Sequence, residues 1–264
     1  MKPTLKISIL LFCITISGLV LLYVFQGKLL YAVPNVPVLN KLPDNVSKIE
    51  LEGSYAYLLK PISHHGEQFP LMIFSHGNAE SANMWVNRFD YLIQRGIAVL
   101  IVEYPGYGGA EGEANLESIN STMLNAFDKA VKFPFINENF VIAYGRSIGG
   151  GPASLLAKQR PLVALALEST FSDLPKLMSQ MYIPSFLLKD RYNNQKIIKS
   201  LEIPVFIFHG TQDELIPFSH AETLKQSAKN VTFHSDKCGH NDCPPTWQAL
   251  IDFLEKKTDI EVHN

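Results

Sequence analysis

The amino-acid sequence predicts an α/β protein with a mostly parallel central sheet covered by helices on both faces. Short apolar runs alternate along the chain with segments whose apolar residues recur at helical spacing. The runs are rich in aliphatic residues, as in strands that are buried on both faces. Several runs end directly in polar, glycine-rich clusters, and functional groups of parallel sheets lie at the carboxyl ends of strands. The 264 residues, 47% of them hydrophobic, can bury one sizeable core.

The individual elements follow from the same patterns. A proline-rich linker is expected over 33–44 and a loop over 61–70. The predicted strands, each a short apolar run, are residues 55–59, 71–74, 97–102, 140–144, 162–167, 204–208 and 231–233. The predicted helices, each with apolar residues on one face, are residues 85–95 (ended by Gly96), 118–132, 148–159, 219–229 and 247–254.

The regular alternation breaks at residues 171–200. Bulky apolar residues crowd together there, among them Met178, Met181, Tyr182 and Phe186. We interpret the segment as a small insertion that forms a lid over a site at the sheet edge. An ordinary pair of buried helices would produce a similar pattern.

The N-terminus carries an apolar segment over residues 7–25 that is long enough to cross a ~30 Å hydrocarbon core. We expect a membrane anchor over 1–28, followed by a catalytic domain over 29–264. The alternative is a cleaved signal peptide, but no small-x-small cleavage site precedes Gln26. Processing as a lipoprotein at Cys13 is disfavoured by the bulky Phe12 before it. Lys2 and Lys6 favour an inside N-terminus, with the domain on the outer, extracytoplasmic side.

The candidate nucleophile is Ser147, in the pattern Gly-Arg-Ser-Ile-Gly over residues 145–149. An apolar strand precedes it and a helix of small residues follows, which is the pattern of a nucleophile elbow. Gly145 and Gly149 permit a turn too tight for side chains, and the turn exposes the serine hydroxyl. The helix N-terminus then directs free N–H groups at a developing oxyanion.

A serine nucleophile needs a base and an acid, and in this architecture the chain order is Ser, then Asp or Glu, then His. Asp213 follows a predicted strand, and His240 lies between the last strand and the last helix. Asp213 would orient the imidazole, and His240 would transfer the proton. Further acids that could take the role of Asp213 are Glu214, Asp242 and, more distantly, Asp190. His209, His220 and His234 lack such support and are expected to be structural or exposed.

The oxyanion hole is expected to combine the backbone N–H of Ile148 with one from the loop after strand 71–74. Asn78 is the first choice for that second donor, and Ala79 is the alternative. Cys238 and Cys243 either form a disulfide that tightens the loop of His240 or remain free thiols. A zinc cluster with His240 and His234 is disfavoured, because His240 already has a role. We therefore expect no metal and no cofactor.

Five motifs in this order resemble the α/β-hydrolase superfamily, and most closely its membrane-anchored serine hydrolases related to protein depalmitoylases and serine aminopeptidase-like hydrolases. They are Ser-His-Gly-Asn-Ala-Glu (75–80), Tyr-Pro-Gly-Tyr-Gly (104–108), Gly-Arg-Ser-Ile-Gly-Gly (145–150), His-Gly-Thr-Gln-Asp (209–213) and Gly-His-Asn-Asp (239–242). The resemblance covers about residues 30–257 and implies the Ser147, Asp213 and His240 triad without a cofactor. The depalmitoylases use a cysteine-rich palmitoylated N-terminus. This chain has an apolar span with one cysteine instead, so their substrate is not carried over.

The sequence therefore leads us to expect a serine hydrolase that cleaves an ester, thioester or amide through an acyl-enzyme. The apolar segment 171–188 favours a hydrophobic, lipid-like or otherwise acylated substrate. One alternative is an aminopeptidase-like hydrolase, for which Glu168, Asp173 and Glu103 are candidates to hold a substrate amine. Another is a silent binding or scaffold protein, since fold does not fix function. The net charge of −2 gives no reason to expect a nucleic-acid partner.

Overall fold

The computed structural model describes residues 3–37, 39, 41–61 and 68–260, and it shows an apolar helix followed by an α/β domain. The strands are β1 Val46–Leu51, β2 Ser54–Leu59, β3 Phe69–Ser75, β4 Ala98–Val102, β5 Ile136–Arg146, β6 Ala164–Glu168, β7 Val205–Gly210 and β8 Val231–Asp236. The α-helices are α1 Pro3–Leu30, α2 Asp90–Ile93, α3 Leu116–Ala130, α4 Gly150–Gln159, α5 Leu174–Gln180, α6 Asn194–Ile198, α7 Ser219–Ser227 and α8 Trp247–Lys257. Most of the loop predicted over 61–70 lies outside the described residues.

The eight strands form one sheet in the order β1-β2-β4-β3-β5-β6-β7-β8. Strands β3 to β8 are parallel, while β1 and β2 pair antiparallel at one edge. Consecutive β3 residues pack into opposite cores: Ile73 contacts the layer of α3, α4, α6 and α7, and Phe74 the layer of α2 and α8. The predicted parallel sheet with helices on both faces is confirmed. Strand β1 was not predicted, because it is a half-exposed edge strand with polar residues between its apolar ends.

The helix predicted over 85–95 is wrong for most of its length. The chain forms a 3-10 turn over Ala82–Met84 and resumes a helix only in the four residues of α2. Two acidic side chains hold the start of this stretch: Trp85 Nε1 donates to Glu80 Oε2 at 3.0 Å, and the N–H of Ala82 donates to the buried Glu103 at 3.0 Å. Helical spacing of apolar residues here reflects packing on the sheet, without a continuous helix.

The segment 171–200 divides into two parts with different positions. Helix α5 and the 3-10 turn Ser185–Leu187 lie over the carboxyl end of the sheet, where their apolar side chains border Ser147. Helix α6 instead packs against α4 and α7 in the helical layer. The first part, residues 174–187, lies at the position expected for a lid, and we call it the lid; the second part packs as an ordinary buried helix.

His220 of α7 joins the base of the lid to the helical layer. Its Nδ1 accepts the N–H of Ser172 at 3.2 Å, and its Nε2 donates to Gln180 Oε1 at 2.7 Å. Burial, with the positive charge of Lys176 and the neighbouring His209, lowers the pKa of His220 to about 4. The imidazole is therefore neutral in the folded protein.

We expect stability to fall as the pH drops from about 6.5 to 4, because only the unfolded state then binds a proton at this histidine. The free energy of unfolding should fall by about 2–3 kcal/mol, which corresponds to most of the difference between the pKa of His220 in the unfolded and folded states. Thermal unfolding across this pH range tests it. A His220→Gln variant should lose that dependence, and an unchanged profile in the variant would contradict the assignment.

Candidate active site

The site is built on the sharp turn between β5 and α4. Ser147 has a φ of +54°, in the left-handed region that non-glycine residues rarely occupy. Close backbone packing holds this conformation: a Cβ on Gly145 would lie 2.4 Å from the carbonyl oxygen of Gly149, and one on Gly149 would lie 2.1 Å from that of Ser75. The turn therefore requires both glycines, and it presents the serine hydroxyl above the sheet.

Loops after β7 and β8 bring Asp213 and His240 to Ser147. The Oγ of Ser147 lies 3.0 Å from His240 Nε2, and His240 Nδ1 lies 2.7 Å from Asp213 Oδ2. All three residues are at most 9% exposed. With the proton on Nδ1 donated to Asp213, Nε2 is free to accept the serine proton. The arrangement can thus transfer a proton from Ser147 to His240.

Asp213 is held as a carboxylate. Burial would raise its pKa, but hydrogen bonds from His209, His240 and the N–H of Ile216 outweigh burial and place the pKa below its usual range. Its Oδ1 accepts the N–H groups of Leu215 and Ile216 at 3.0 and 2.8 Å. An ionised carboxylate at this position could stabilise an imidazolium on His240.

The other acids considered from the sequence lie elsewhere. Asp242 accepts the N–H of Gly239, and Asp190 accepts the hydroxyl of Tyr31 at 2.7 Å. His209 donates to the carbonyl oxygen of Ile216 at 2.8 Å, which places it beneath the acid loop as a structural group. Of the residues weighed for the acid, the structure brings Asp213 into hydrogen-bond contact with His240.

The loop after β3 faces Ser147 and contains the candidate oxyanion donors. Asn78 and Ile148 both line the pocket that contains Ser147 and His240. The N–H of Ala79 instead donates to the carbonyl oxygen of Ala32 at 3.1 Å, whereas the N–H of Asn78 makes no hydrogen bond with any part of the chain that the structure describes. The geometry favours Asn78 over Ala79. His76 fixes this loop through its 2.9 Å contact with the buried Glu103.

An apolar cavity of about 330 Å³ opens from Ser147, and we call it the apolar pocket. Such a volume falls in the range of small-molecule sites. Few polar residues line it, and its walls come from the lid, from the loop after Asp213 and from the end of α1. The lining residues are Leu22, Gln26, Leu29, Leu30, Asn78, Ser147, Ile148, Phe171, Leu174, Leu177, Met178, Met181, Ile183, Pro184, Leu187, Leu188, Leu215, Ile216 and His240.

Arg146, which precedes Ser147, is a residue that sequence reasoning missed. Its Nη2 donates to the carbonyl oxygen of His240 at 3.0 Å and to Asn241 Oδ1 at 2.9 Å. Its guanidinium also pairs with Glu80 and, at 3.4 Å, with Glu168. Arg146 therefore holds the loop that positions His240. A charged residue within an otherwise buried elbow was the signal that could have identified it.

The three acids considered for an aminopeptidase are already engaged. Glu103 is fully buried against His76, and Asp173 caps α5 by accepting the N–H of Lys176 at 2.8 Å. Glu168 borders a second, polar cavity beside His240, but it pairs there with Arg146. No one of the three offers an unpaired carboxylate to a substrate amine.

Cys238 and Cys243 form a disulfide across the loop that contains His240. Closing so short a loop should stabilise the fold by about 2 kcal/mol in the chain-entropy model. We expect the double variant Cys238→Ser, Cys243→Ser to melt several degrees lower and to lose catalytic efficiency by less than about tenfold. Thermal unfolding with and without reductant measures this. Cys13→Ser is the control, and equal melting of both variants would show that the bond contributes nothing.

Comparisons with known proteins agree with this architecture. A model of the α/β-hydrolase fold matches residues 70–162, and one described as phospholipase/carboxylesterase matches residues 163–258. The chain is 28% identical over 272 residues to Protein bem46 of Schizosaccharomyces pombe, covering 91% of this chain and 89% of that protein. It is 31% identical over 172 residues to the uncharacterized protein YfhR of Salmonella typhi, a match that covers 60% of this chain and 59% of YfhR.

The solved structure of acetyl xylan esterase from Paenibacillus sp. R4 has the same fold. It superposes with a TM-score of 0.69 at 14% identity, over 90% of this chain and 93% of that chain. At this identity the likeness shows the fold alone. The two family models, which together match residues 70–258, and the relatives show that the chain belongs to the α/β-hydrolase superfamily.

Proposed function

We propose that the protein is a serine hydrolase that acts by acyl transfer through Ser147, His240 and Asp213. The observation that carries the proposal is the pair of hydrogen bonds from Ser147 to His240 and from His240 to Asp213, at 3.0 and 2.7 Å. In the first half-reaction Ser147 Oγ attacks the substrate carbonyl while its proton passes to His240 Nε2. The oxyanion forms between the N–H groups of Ile148 and Asn78.

The intermediate then collapses. The bond to the leaving alcohol, thiol or amine breaks, and His240 gives that group its proton, which leaves an acyl ester on Ser147. In the second half-reaction His240 removes a proton from water, and the resulting attack on the ester releases the acid and restores the Ser147 hydroxyl. Asp213 stays ionised throughout and stabilises the imidazolium in both halves.

The apolar pocket supports a substrate whose acyl group is hydrophobic and binds in this pocket. Its walls are mostly leucine, isoleucine and methionine side chains, and it opens directly at Ser147. The engaged acids weigh against the aminopeptidase alternative, and the aligned triad residues weigh against a silent scaffold. Esters or thioesters with long acyl chains are therefore the proposed substrate class.

We further propose that α1 remains attached as a single-pass anchor with the catalytic domain on the outer side. Residues 6–30 are long and apolar enough to cross a membrane by length and composition. Lys2 and Lys6 favour the inside for the N-terminus, and a disulfide suits an oxidising outer compartment. Reporter fusions to the C-terminus should report an outer location, and a cytoplasmic signal would reverse the topology.

Fluorophosphonate labelling of the full chain tests the reaction class, and a series of p-nitrophenyl esters tests the substrate class. We expect covalent modification of Ser147, located by mass spectrometry, and a kcat/KM that rises as the acyl chain lengthens from acetate. Folded protein that is not labelled would favour a scaffold. A kcat/KM that falls steadily with chain length would contradict the hydrophobic acyl group.

A further inference from the structure

The end of the N-terminal helix forms one wall of the apolar pocket. Leu22, Gln26, Leu29 and Leu30 all line it, and their spacing places them on one face of α1. The opposite walls come from α5 and the following lid turn. The segment that the sequence predicts to span a membrane is therefore also part of the candidate active site.

Specific polar contacts dock this helix end to the lid. Gln26, only 8% exposed, donates to the carbonyl oxygen of Leu187 at 2.9 Å and accepts the N–H of Lys189 at 2.8 Å. An amide side chain buried with both its groups paired specifies one orientation of the helix against the lid. Cleavage after Gln26 would remove Leu22 and Gln26 from this wall, together with both hydrogen bonds to the lid.

The residues just beyond the helix are docked to the oxyanion loop as well. The N–H of Ala32 donates to Asn78 Oδ1 at 2.7 Å, and the carbonyl oxygen of Ala32 accepts the N–H of Ala79 at 3.1 Å. The buried Tyr31 donates its hydroxyl to Asp190 at 2.7 Å. The exit of α1 is therefore connected to the lid on one side and to the candidate oxyanion donor on the other.

The surface around the helix end has the composition of a membrane interface. Large apolar side chains are exposed both on α1 and on the lid turn, namely Phe25, Leu29, Met181, Tyr182 and Phe186, with Tyr182 97% and Phe186 76% exposed. Lys189 Nζ lies 4.5 Å from the ring centre of Tyr23, and Lys28 is in the last turn of the helix. Aromatic and basic residues of this kind are typical of the boundary between hydrocarbon and headgroups.

The length of α1 is compatible with a pocket at that boundary. About 20 helical residues cross a hydrocarbon core of ~30 Å, so a span that begins near Lys6 would bring Gln26 to the headgroups. Leu22 lies one turn before Gln26. The wall of the apolar pocket would then reach from the headgroups into the upper hydrocarbon layer.

Building on the proposed function, we propose that the substrate is a long-chain acyl ester or thioester resident in the membrane, and that its acyl chain enters the pocket laterally along the Leu22–Leu30 face of α1. The chain passes from hydrocarbon to an apolar wall without crossing water, and the carbonyl group reaches Ser147 at the level of the headgroups. The anchor is then a part of the acyl-binding site.

Substitutions at matched depth in the membrane test the wall. Leu22 lines the pocket, whereas the adjacent Leu21 is 57% exposed and does not line it. Full-length protein is reconstituted in phosphatidylcholine vesicles with 4-methylumbelliferyl palmitate or acetate. We expect Leu22→Trp to lower kcat/KM for the palmitate ester at least tenfold more than kcat/KM for the acetate ester, while Leu21→Trp changes neither.

A smaller substitution at Leu22 distinguishes a change in the pocket from misfolding. Leu22→Phe should shift the preferred acyl chain to a shorter length while the melting temperature stays unchanged. Equal chain-length profiles for Leu22→Phe, Leu21→Trp and the unaltered protein would overturn the inference about the wall. Wild-type protein that neither reacts with the probe nor hydrolyses acetate would instead refute the proposed function itself.

Lateral entry has its own test, which presents the same palmitate ester in two ways. The ester is placed either in the vesicles that contain the protein or in a separate vesicle population, and initial rates are compared within the first seconds. We expect hydrolysis at least tenfold faster in the shared vesicles, with a rate set by the ester's mole fraction in that bilayer. Equal initial rates from both populations would show that the acyl chain arrives through water and would overturn lateral entry.

Discussion

Replacing Ser147 by alanine is expected to lower kcat by roughly 10⁵–10⁶-fold and to abolish fluorophosphonate labelling. The hydroxyl at 3.0 Å from His240 is the group that would bond to the acyl carbon, and alanine cannot replace it. Asp213→Asn should lower kcat by roughly 10⁴-fold, because an amide favours the imidazole tautomer with no acceptor facing Ser147. Single-turnover hydrolysis of a p-nitrophenyl ester, with active-site titration of the unaltered protein, measures both losses.

Ser154 provides the control for Ser147. It is fully buried on α4, and its hydroxyl has no hydrogen-bond partner in the described part of the chain. Ser154→Ala should therefore leave labelling and kcat within about twofold of the unaltered protein. Retained labelling in Ser147→Ala, or its loss in Ser154→Ala, would contradict the assignment of the nucleophile.

The second large effect is expected at Arg146. Its side chain is 9% exposed and pairs with Glu80 and Glu168, whose side chains are 14% and 19% exposed. Arg146→Met leaves both carboxylates without their cation, which should destabilise the fold by about 3–5 kcal/mol. The loop of His240 also loses two hydrogen bonds, so kcat should fall by roughly 10–100-fold while the KM of a short ester changes little.

Arg146→Lys separates the two roles. Lysine keeps the positive charge between the carboxylates, but its single ammonium cannot reproduce the guanidinium donors to His240 and Asn241. Thermal unfolding should therefore recover most of the stability, while kcat stays low. If Arg146→Met lowers the melting temperature without lowering kcat at a temperature where it is folded, Arg146 does not position the base.

Most of the elements and motifs of the domain could be predicted from the sequence, because they depend on local patterns. Buried parallel strands are short continuous apolar runs, and their ends were predicted within a few residues for β3 to β7. The elbow glycines, and an acid and a histidine after successive strands, are equally local. The structure brings together the residues selected in this way, Ser147, Asp213 and His240.

Other predictions failed where the apolar pattern does not match the backbone structure. The segment expected as a helix over 85–95 begins instead with tight turns, in which the N–H groups of Trp85 and Arg88 donate to carbonyl oxygens three residues back. The buried Glu103 fixes the preceding turn by accepting the N–H of Ala82. Strand β1 lacks an apolar pattern because one side of it faces solvent, and pairing with β2 determines it.

The sequence by itself determined the α/β class, the order of the motifs and the three residues proposed for catalysis, since strand periodicity and turn chemistry are local properties. Only the tertiary structure decided that Arg146 holds the His240 loop and that the end of α1 lines the apolar pocket. Those relations join residues 94 positions apart, between Arg146 and His240, and 161 apart, between Gln26 and Leu187. Such contacts depend on how the sheet and its layers fold together, and no local pattern encodes them.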